Sequence, residues 1–539
     1  MAARHKQLSL LAAIMGSFVA GLDATAVNVA LPAIRADLGG GLAGQQWVSN
    51  AYLLALGSLI LIGGSLGDVF GERRIFSIGV GGFGVASLLC AISPSIGFLI
   101  ACRGLQGVFG ALLMPSSLAV IVAAFPREER GGAIGSWTAW SGIATVVGPL
   151  AGGWLVDAVS WRLIFAINVP FVIATLMLIS LAVPPATGKT GHGRVDWLGA
   201  VLTFFGLAGP VVALICQPAV GWGSPEVWAP MLGGFILLGL FVWHESRTPA
   251  PMLPLSLFKG RNFTVGNIET FTMYGGLGIV FFMLTLYLQE VAGYTALAAG
   301  FALLPSTIVM FLLSKRMGRL ADRYGPRLFM GLGPLTAAVG VALMLRLGAH
   351  VNYLTDLFPA LLVFSLGLAS TVAPLTATVL SDADDSNAGI ASGVNNAIAR
   401  IAGLIAIAGV GAVISAQFKS SLSMHLAGLK LSAAARAAVA AARQETLARV
   451  DPTKAGAAVA HAVQSSAVHA FHVGILISAI LVAVGGVLGL AGIRNPRRKV
   501  SCEGCAGGQI AGQPIDAARD RTPLALPAPV ALDSSAARS

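Results

Sequence analysis

Charge is scarce in this sequence. Only 11% of its 539 residues are Asp, Glu, Lys or Arg, while 56% are hydrophobic, and the mean hydropathy is +0.82. A water-soluble chain of this length needs far more charge to cover its surface, so the composition excludes a soluble enzyme or binding domain and indicates a membrane protein. Cysteine is scarce as well. Of the five, Cys90, Cys102 and Cys216 lie inside apolar runs, where a small hydrophobic role is the default. Cys502 and Cys505 form a lone C-x-x-C in a polar tail. A zinc site needs about four ligands and no second pair or nearby His supplies them, so neither a metal centre nor a disulfide framework is expected.

Acidic residues are fewer than basic ones, 23 against 34, for a net charge of +11. Where the charge sits decides its meaning. It recurs in short segments between apolar runs instead of forming one basic domain, so no nucleic-acid partner is expected. Arg4 and Lys6 followed by an apolar run from Leu8 resemble a signal peptide. That run is long enough to span and shows no convincing cleavage site, so it is read as a retained first helix.

A helix needs about 20 apolar residues to cross a bilayer. Fourteen such runs are present, at 8–31, 46–66, 75–93, 97–124, 133–156, 163–183, 197–216, 227–243, 264–288, 297–314, 328–347, 355–379, 397–418 and 472–493. An even number places both termini on one side of the membrane. With the termini cytoplasmic, cytoplasmic segments hold 23 of the 34 Lys and Arg, and the short outer loops hold only Arg35, Arg162 and Arg346. Six more fall in the long segment between spans 13 and 14, which escapes the positive-inside rule, and Arg103 and Arg400 lie within spans. Arg400 is read as standing at a helix start, in a structural role.

Residues 421–470 are Ala-rich and read as a helical excursion on the outer face, a surface suited to an outer-side adaptor protein. His461, His469 and His472 in and beside it are too loosely spaced for a metal site. The tail 495–539, rich in Pro, Ala and Ser, reads as disordered and cytoplasmic.

A repeat lies within the chain. "GSLGDVFGERR" at 64–74 returns as "GRLADRYGPR" at 318–327, with Gly64, Leu66, Asp68, Gly71 and Arg73 matching Gly318, Leu320, Asp322, Gly325 and Arg327. Both copies are placed on cytoplasmic turns, after spans 2 and 10. A displacement of eight helices keeps them on the same face, as parallel repeats require. Two six-helix repeats alone would displace the motif by six, so the extra two spans are placed between the halves. The expected organisation is an all-α integral membrane protein. A six-helix bundle covers 1–190, two inserted helices 191–245, and a second bundle with its outer loop 246–494.

Seven motifs in order now carry a resemblance: "LDATAVNVALP" from Leu22, the Gly64 loop, "RGLQG" at Arg103, "GPLAGG" at Gly148, "WRLIFAINVP" at Trp161, "QEVAGYTALAAGFALLP" at Gln289 and "GIASGVNNAIAR" at Gly389. Over residues 8–493 the chain resembles the fourteen-helix drug:proton antiporters of the major facilitator superfamily. The resemblance implies alternating access, an amphipathic and often cationic cargo, protons as the coupling partner, and no cofactor. It also implies that Arg103 assists proton movement, that Gly148, Pro149, Gly152 and Gly153 seal the interface between halves, and that the repeated loops form an inner latch through Gly64, Asp68, Gly71, Arg73, Gly318, Asp322, Arg323 and Gly325. The sequence departs from the family pattern at Ala144, where a further Gly is usual, and at Val69 and Glu72, where basic residues are usual. The latch is therefore expected to rest more on Arg319, Arg323 and Arg327.

The residues themselves single out two acids. Asp23 and Glu269 fall well inside spans, where a charged residue costs about 2.5–3.5 kcal/mol on insertion scales and is functional and bundle-facing by default. Asp23 shares a helical stripe with Gly16, Ala20 and Ala30, and Glu269 with Gly266, Met273 and Gly276. Either can exchange a proton or hold a cationic substrate; the alternative for each is a structural hydrogen bond. A buried Arg103 must be paired, so it also has a structural reading as a salt bridge or carbonyl clamp. Pro149 removes a helix hydrogen bond and bends span 5. "VPPATGKTG" mimics the end of a phosphate-binding loop, but Val183 stands where its first Gly belongs and a membrane helix precedes it, so ATP-driven transport is disfavoured. With no nucleophile–base or metal-ligand cluster in the spans, an enzyme is not expected. The leading expectation is proton-coupled export of amphipathic drugs or toxic compounds at the cell membrane. The alternatives are export of an endogenous metabolite, siderophore, amino acid or self-made antibiotic, and a non-transporting receptor or scaffold.

Overall fold

In lipid every backbone N–H and C=O must be satisfied within the chain, and apolar runs of this length answer that demand as helices. The computed structural model describes residues 2–183, 195–249, 251–381, 388–429, 431–447 and 450–495. The tail with Cys502 and Cys505, and the Gly188-Lys189-Thr190 mimic, lie outside the described residues. The helices are α1 (Ala2–Leu38), α2 (Gly41–Phe70), α3 (Glu72–Ala91), α4 (Ile96–Ala124), α5 (Arg127–Ala158), α6 (Leu163–Ala166), α7 (Asn168–Ala182), α8 (Trp197–Val220) and α9 (Pro225–Glu245). They continue as α10 (Arg261–Glu290), α11 (Ala296–Tyr324), α12 (Pro326–Leu343), α13 (Phe358–Ser381), α14 (Ala388–His425), α15 (Ala433–Glu445), α16 (Pro452–Ala455) and α17 (Ala457–Gly492).

Among the described residues, 13 helices are long and apolar enough to cross a membrane, with α6 and α7 counted as one span, Leu163–Ala182. The fourteenth expected span, 133–156, falls on α5, whose 32 residues reach about 48 Å at 1.5 Å per residue. Large apolar side chains cover the outside: Leu181 is 69% exposed, Phe311 65% and Val85 61%. Such a surface fits lipid and would be a liability in water.

The two halves repeat one packing scheme. In the first bundle α4 packs on α2 and α3, and α1 on α5 and α7; in the second, α13 packs on α11 and α12, and α10 on α14 and α17. The bundles meet along two seams, α2 with α14 and α5 with α11. The inserted pair sits beside the first seam, where Leu207, Val211 and Ile215 of α8 share a core with Leu54 and Leu404. Outward from α8, α9 presents Trp228, Phe235, Ile236 and Trp243 to the surroundings.

Three expectations need correction. The repeated motif is not a loop: Gly64–Phe70 and Gly318–Tyr324 are the last turns of α2 and α11, and each turn is the single residue Gly71 or Gly325, both at φ +92°. That left-handed conformation suits glycine and lets the next helix begin at once. Arg400 is not at a helix start, because α14 begins at Ala388; it packs at the seam, with its Cβ against the space beside Gly57 of α2. The 421–470 excursion is shorter than its Ala-rich composition suggested. Only α15 and α16 are separate, and 457–470 belongs to α17.

Candidate functional site

Asp23 lies near the middle of α1 and is fully buried. Two other helices, α4 and α7, send donors to its carboxylate. Arg103 Nη1 of α4 donates to Oδ2 at 2.6 Å, while Gln106 Nε2 and Asn168 Nδ2 donate to Oδ1 at 2.9 and 3.0 Å. Ser87 of α3 stands behind both amides, its Oγ 2.8 Å from Gln106 Nε2 and 3.3 Å from Asn168 Nδ2.

Arg103 is itself clamped. Its Nε donates to the Val48 carbonyl of α2 at 3.1 Å, its Nη1 also reaches Gln106 Oε1, and Cζ lies 4.4 Å from the centre of the Tyr52 ring. A charge pair taken from water this completely holds only when further hydrogen bonds satisfy both partners. Here they do, and the result ties α1, α2, α3, α4 and α7 at one point. The sequence pointed to Asp23 and Arg103 but not to Gln106, Asn168 or Ser87. Gln106 follows Arg103 by three residues, so both project from one face of α4.

Glu269 is not part of this network. It is buried in α10 of the other bundle, and neither carboxyl oxygen has a hydrogen-bond partner. Its side chain fills room left by two glycines of α17: a Cβ at Gly489 would lie 2.9 Å from Oε2, and one at Gly485 would lie 3.7 Å from Cγ.

The "GPLAGG" motif clasps the helix that carries Asp23. A Cβ at Gly152 would come within 3.0 Å of the Ala26 Cβ, and one at Gly148 within 2.9 Å of the Leu22 carbonyl. The neighbouring stripe of α5, one residue on, meets the second bundle. A Cβ at Gly153 would lie 2.7 Å from the Ala296 carbonyl, and one at Gly300 would lie 2.5 Å from the Pro149 carbonyl. One helix thus touches both the acid's own helix and α11.

Hydrogen bonds between the bundles gather at the face opposite the repeated turns. Asp157 at the end of α5 accepts from Ala296 N at 3.1 Å and Leu297 N at 2.8 Å, occupying the positive end of α11. Arg35 of α1 pairs with Glu290 of α10 at 2.7 Å and with Glu445 of α15 at 3.4 Å. Gln289 Nε2 donates to the Val29 carbonyl at 3.0 Å, and Gln46 Nε2 to the Ile407 carbonyl at 2.7 Å.

At the face of the repeated turns the motif arginines serve their own bundles. Arg73 Nη2 donates to the Ser180 carbonyl at the end of α7 at 3.4 Å, and Arg327 Nε to the Leu490 carbonyl at the end of α17 at 2.6 Å. Asp322 is exposed there, and the Arg323 guanidinium lies 5.5 Å from the Tyr324 ring centre. The side chain of Asp68 is outside the described residues.

Two helical bundles related by a repeat, with an ion pair sealed inside one and small residues at the seams, define a membrane transporter. The chain belongs to the Major Facilitator Superfamily, whose family model matches residues 13–407; this is a family of transporters, not of enzymes. It is 36% identical to the puromycin resistance protein pur8 of Streptomyces alboniger over 75% of this chain and 81% of that one. It is 34% identical to the tetracenomycin C resistance and export protein of Streptomyces glaucescens over 76% of each, and 33% identical to the multidrug resistance protein Stp of Mycobacterium tuberculosis over 78% of each. Among solved structures, the fold matches a bacterial homologue of the lysosomal transporter Spinster, with a TM-score of 0.60 at 16% identity, over 92% of this chain and 99% of that one. A D-xylose–proton symporter matches with a TM-score of 0.58 at 12% identity, over 90% and 97%.

Proposed function

We propose that this protein is a proton-coupled exporter of amphipathic, cationic drugs or toxic compounds, working by alternating access at the cell membrane with both termini in the cytoplasm. The observation that carries the reading is the buried Asp23–Arg103 pair on a helix clasped by α5. Protonating Asp23 removes the charge that holds the Arg103 guanidinium, and the clamp joining α1 to α4 loosens. Because Gly148 and Gly152 of α5 pack on the turn beside Asp23 while Gly153 packs on α11, a shift of α1 is passed to the seam between bundles. A buried ionisable group inside a span is a natural proton carrier. One charge crossing gains about 2.3 kcal/mol per 100 mV, enough for roughly a fifty-fold gradient.

The orientation rests on the concentration of Lys and Arg at the face of the repeated turns, which the positive-inside rule assigns to the cytoplasm. In this reading the bonded face is external. Resistance and export functions named for the relatives support an outward-moving organic cargo. Glu269 is the candidate second carboxyl. Burying it ionised without a partner would cost several kcal/mol, so its packing between the α17 glycines suits the neutral acid. Gly318, Asp322 and Gly325, with Gly64, Asp68 and Gly71, serve in this reading as helix-end joints at the cytoplasmic face.

The test is transport by purified protein in liposomes under an imposed pH gradient, with puromycin and a cationic dye as cargo. Gradient-driven movement is expected, with Asp23→Asn retaining counterflow exchange but losing the response to the gradient. Unchanged gradient-driven transport in that variant would overturn the coupling assignment. A self-made antibiotic or metabolite as the natural cargo would show as competition at lower concentration than any drug.

A further inference from the structure

The inserted helices take no part in the Asp23 network, yet one end of the pair gathers three titratable side chains. Asp196 caps α8, its Oδ1 accepting from Gly199 N at 2.8 Å and lying 2.8 Å from His244 Nε2 of α9. Glu245, the last residue of α9, accepts from Leu253 N through Oε2 at 3.0 Å. The two remaining carboxyl oxygens, Asp196 Oδ2 and Glu245 Oε1, are buried and have no hydrogen-bond donor. They converge on one place, because a Cβ built at Gly199 would lie 2.5 Å from the first and 2.8 Å from the second. The Asp196 side chain is 5% exposed and Glu245 is 3% exposed.

The neighbouring elements supply little charge. Ile62 of α2, Ala200 of α8, Phe241 of α9, and Met252 with Leu253 of the following segment form a hydrophobic cluster, tied to the pair through the Leu253 amide. Arg247 lies over the Trp243 ring, 5.4 Å from its centre. Among the described residues, the basic side chain facing the pair is therefore His244, whose ring also lies 3.1 Å from Thr248 Oγ1. Burial raises the Asp196 carboxyl. The Gly199 N–H and the side chains of His244 and Glu245 outweigh it and hold the group below its ordinary value.

Two buried carboxylates facing each other repel when both are ionised, and a proton between them is the donor that both oxygens lack. We propose that Asp196 and Glu245 bind one proton between them, making the inserted pair a proton-binding site separate from Asp23. The proton exchanges with water at the face of the repeated turns. When it leaves, two anions oppose each other; Asp196 holds the start of α8 and Glu245 holds the segment that leads into α10. Proton release therefore loosens the joint between the inserted pair and the second bundle.

The experiment is infrared titration of the full chain in lipid nanodiscs, carried out in an Asp23→Asn, Glu269→Gln background so that the two acids inside the spans are silent. A carboxylic-acid carbonyl band that fades as pH rises is expected, and Glu245→Gln should remove it. Hydrogen exchange at the Leu253 amide should quicken with pH beyond the general rise, and this extra dependence should vanish in Glu245→Gln. Asp196→Asn, which keeps a capping oxygen at α8, serves the same purpose if Glu245→Gln does not fold. A band unchanged by either variant overturns the proposal. So does a band that responds to sodium concentration at fixed pH, because the pair would then hold a metal cation. Neither readout depends on transport, so failure here is distinct from failure of the export reading.

Discussion

Arg103 Nη1 of α4 lies 2.6 Å from Asp23 Oδ2 of α1, with both side chains sealed from solvent. Removing one member of a buried pair costs about 3–5 kcal/mol, because the other charge is stranded, whereas replacing both with neutral groups of similar size is far less damaging. Arg103→Leu should therefore lower the unfolding temperature of the detergent-purified protein markedly, and Arg103→Leu with Asp23→Asn should recover at least half of the loss. Equal unfolding temperatures for the single and double variants would show that the two side chains do not act as a pair.

Glu269 predicts the opposite behaviour. With no hydrogen-bond partner on either oxygen, its isostere should be accepted in the folded state, and Glu269→Gln should shift stability by less than about 1 kcal/mol. Thermal unfolding measures this directly, and a large loss would reveal a partner that only the acid can satisfy.

The seam at Gly153 has no room for a side chain, since a Cβ there would meet the Ala296 carbonyl at 2.7 Å. Gly153→Leu should hold α5 off α11 and leave the bonded face ajar. Spin labels across that seam would read a longer distance than in the parent protein. The same distance in both would mean that the helices slide to accept the side chain.

Asp157 is a carboxylate at the N-terminal end of α11, a contact worth about 0.3–1 kcal/mol at the surface and up to about 2 where partly buried. Asp157→Asn should shift the equilibrium toward the state in which that face is open, by up to about 30-fold if the larger figure holds. Accessibility of a cysteine placed at Leu297 to an impermeant reagent is the measurement; protection equal to the parent would argue against this contact as a clasp.

Asp451 gives a pH-dependent contact outside the spans. Hydrogen bonds from Thr453, side chain first and backbone second, hold its carboxyl below the ordinary value of 3.8. A depressed folded value contributes stability above the unfolded value that is lost as pH falls through the folded one. Hydrogen exchange at Thr453, corrected for its intrinsic rate, should therefore show lost protection only below about pH 4, and Asp451→Asn should flatten that dependence.

The fold was largely legible in the sequence because each apolar run of spanning length has few alternatives to a helix, and because the 254-residue offset from Gly71 to Gly325 exposes the duplication. Asp23 and Arg103 were legible for the same physical reason: charge inside a span is costly and needs a partner. Gln106 and Asn168 were not, since an amide within an apolar run carries no charge to mark it, and its importance depends on which helices meet. The motif turns were misplaced because a short polar stretch looks like a loop, whereas one positive-φ glycine makes the whole turn. Asp157 escaped notice because its partners are backbone amides of a distant helix, which leave no trace in side-chain pattern.

The bonded face is fastened at three separate places: Asp157 on the start of α11, Arg35 with Gln289 between α1 and α10, and Gln46 on α14. The bundles cannot part at that face while any one of the three holds. Opening is then a concerted release, or a tilt about whichever support yields last. At the α2–α14 corner, the described contact is an amide on a backbone carbonyl, so added salt weakens the two corners that carry charge and leaves this one intact. Ionic strength should therefore set the axis about which the face tilts as well as how readily it opens.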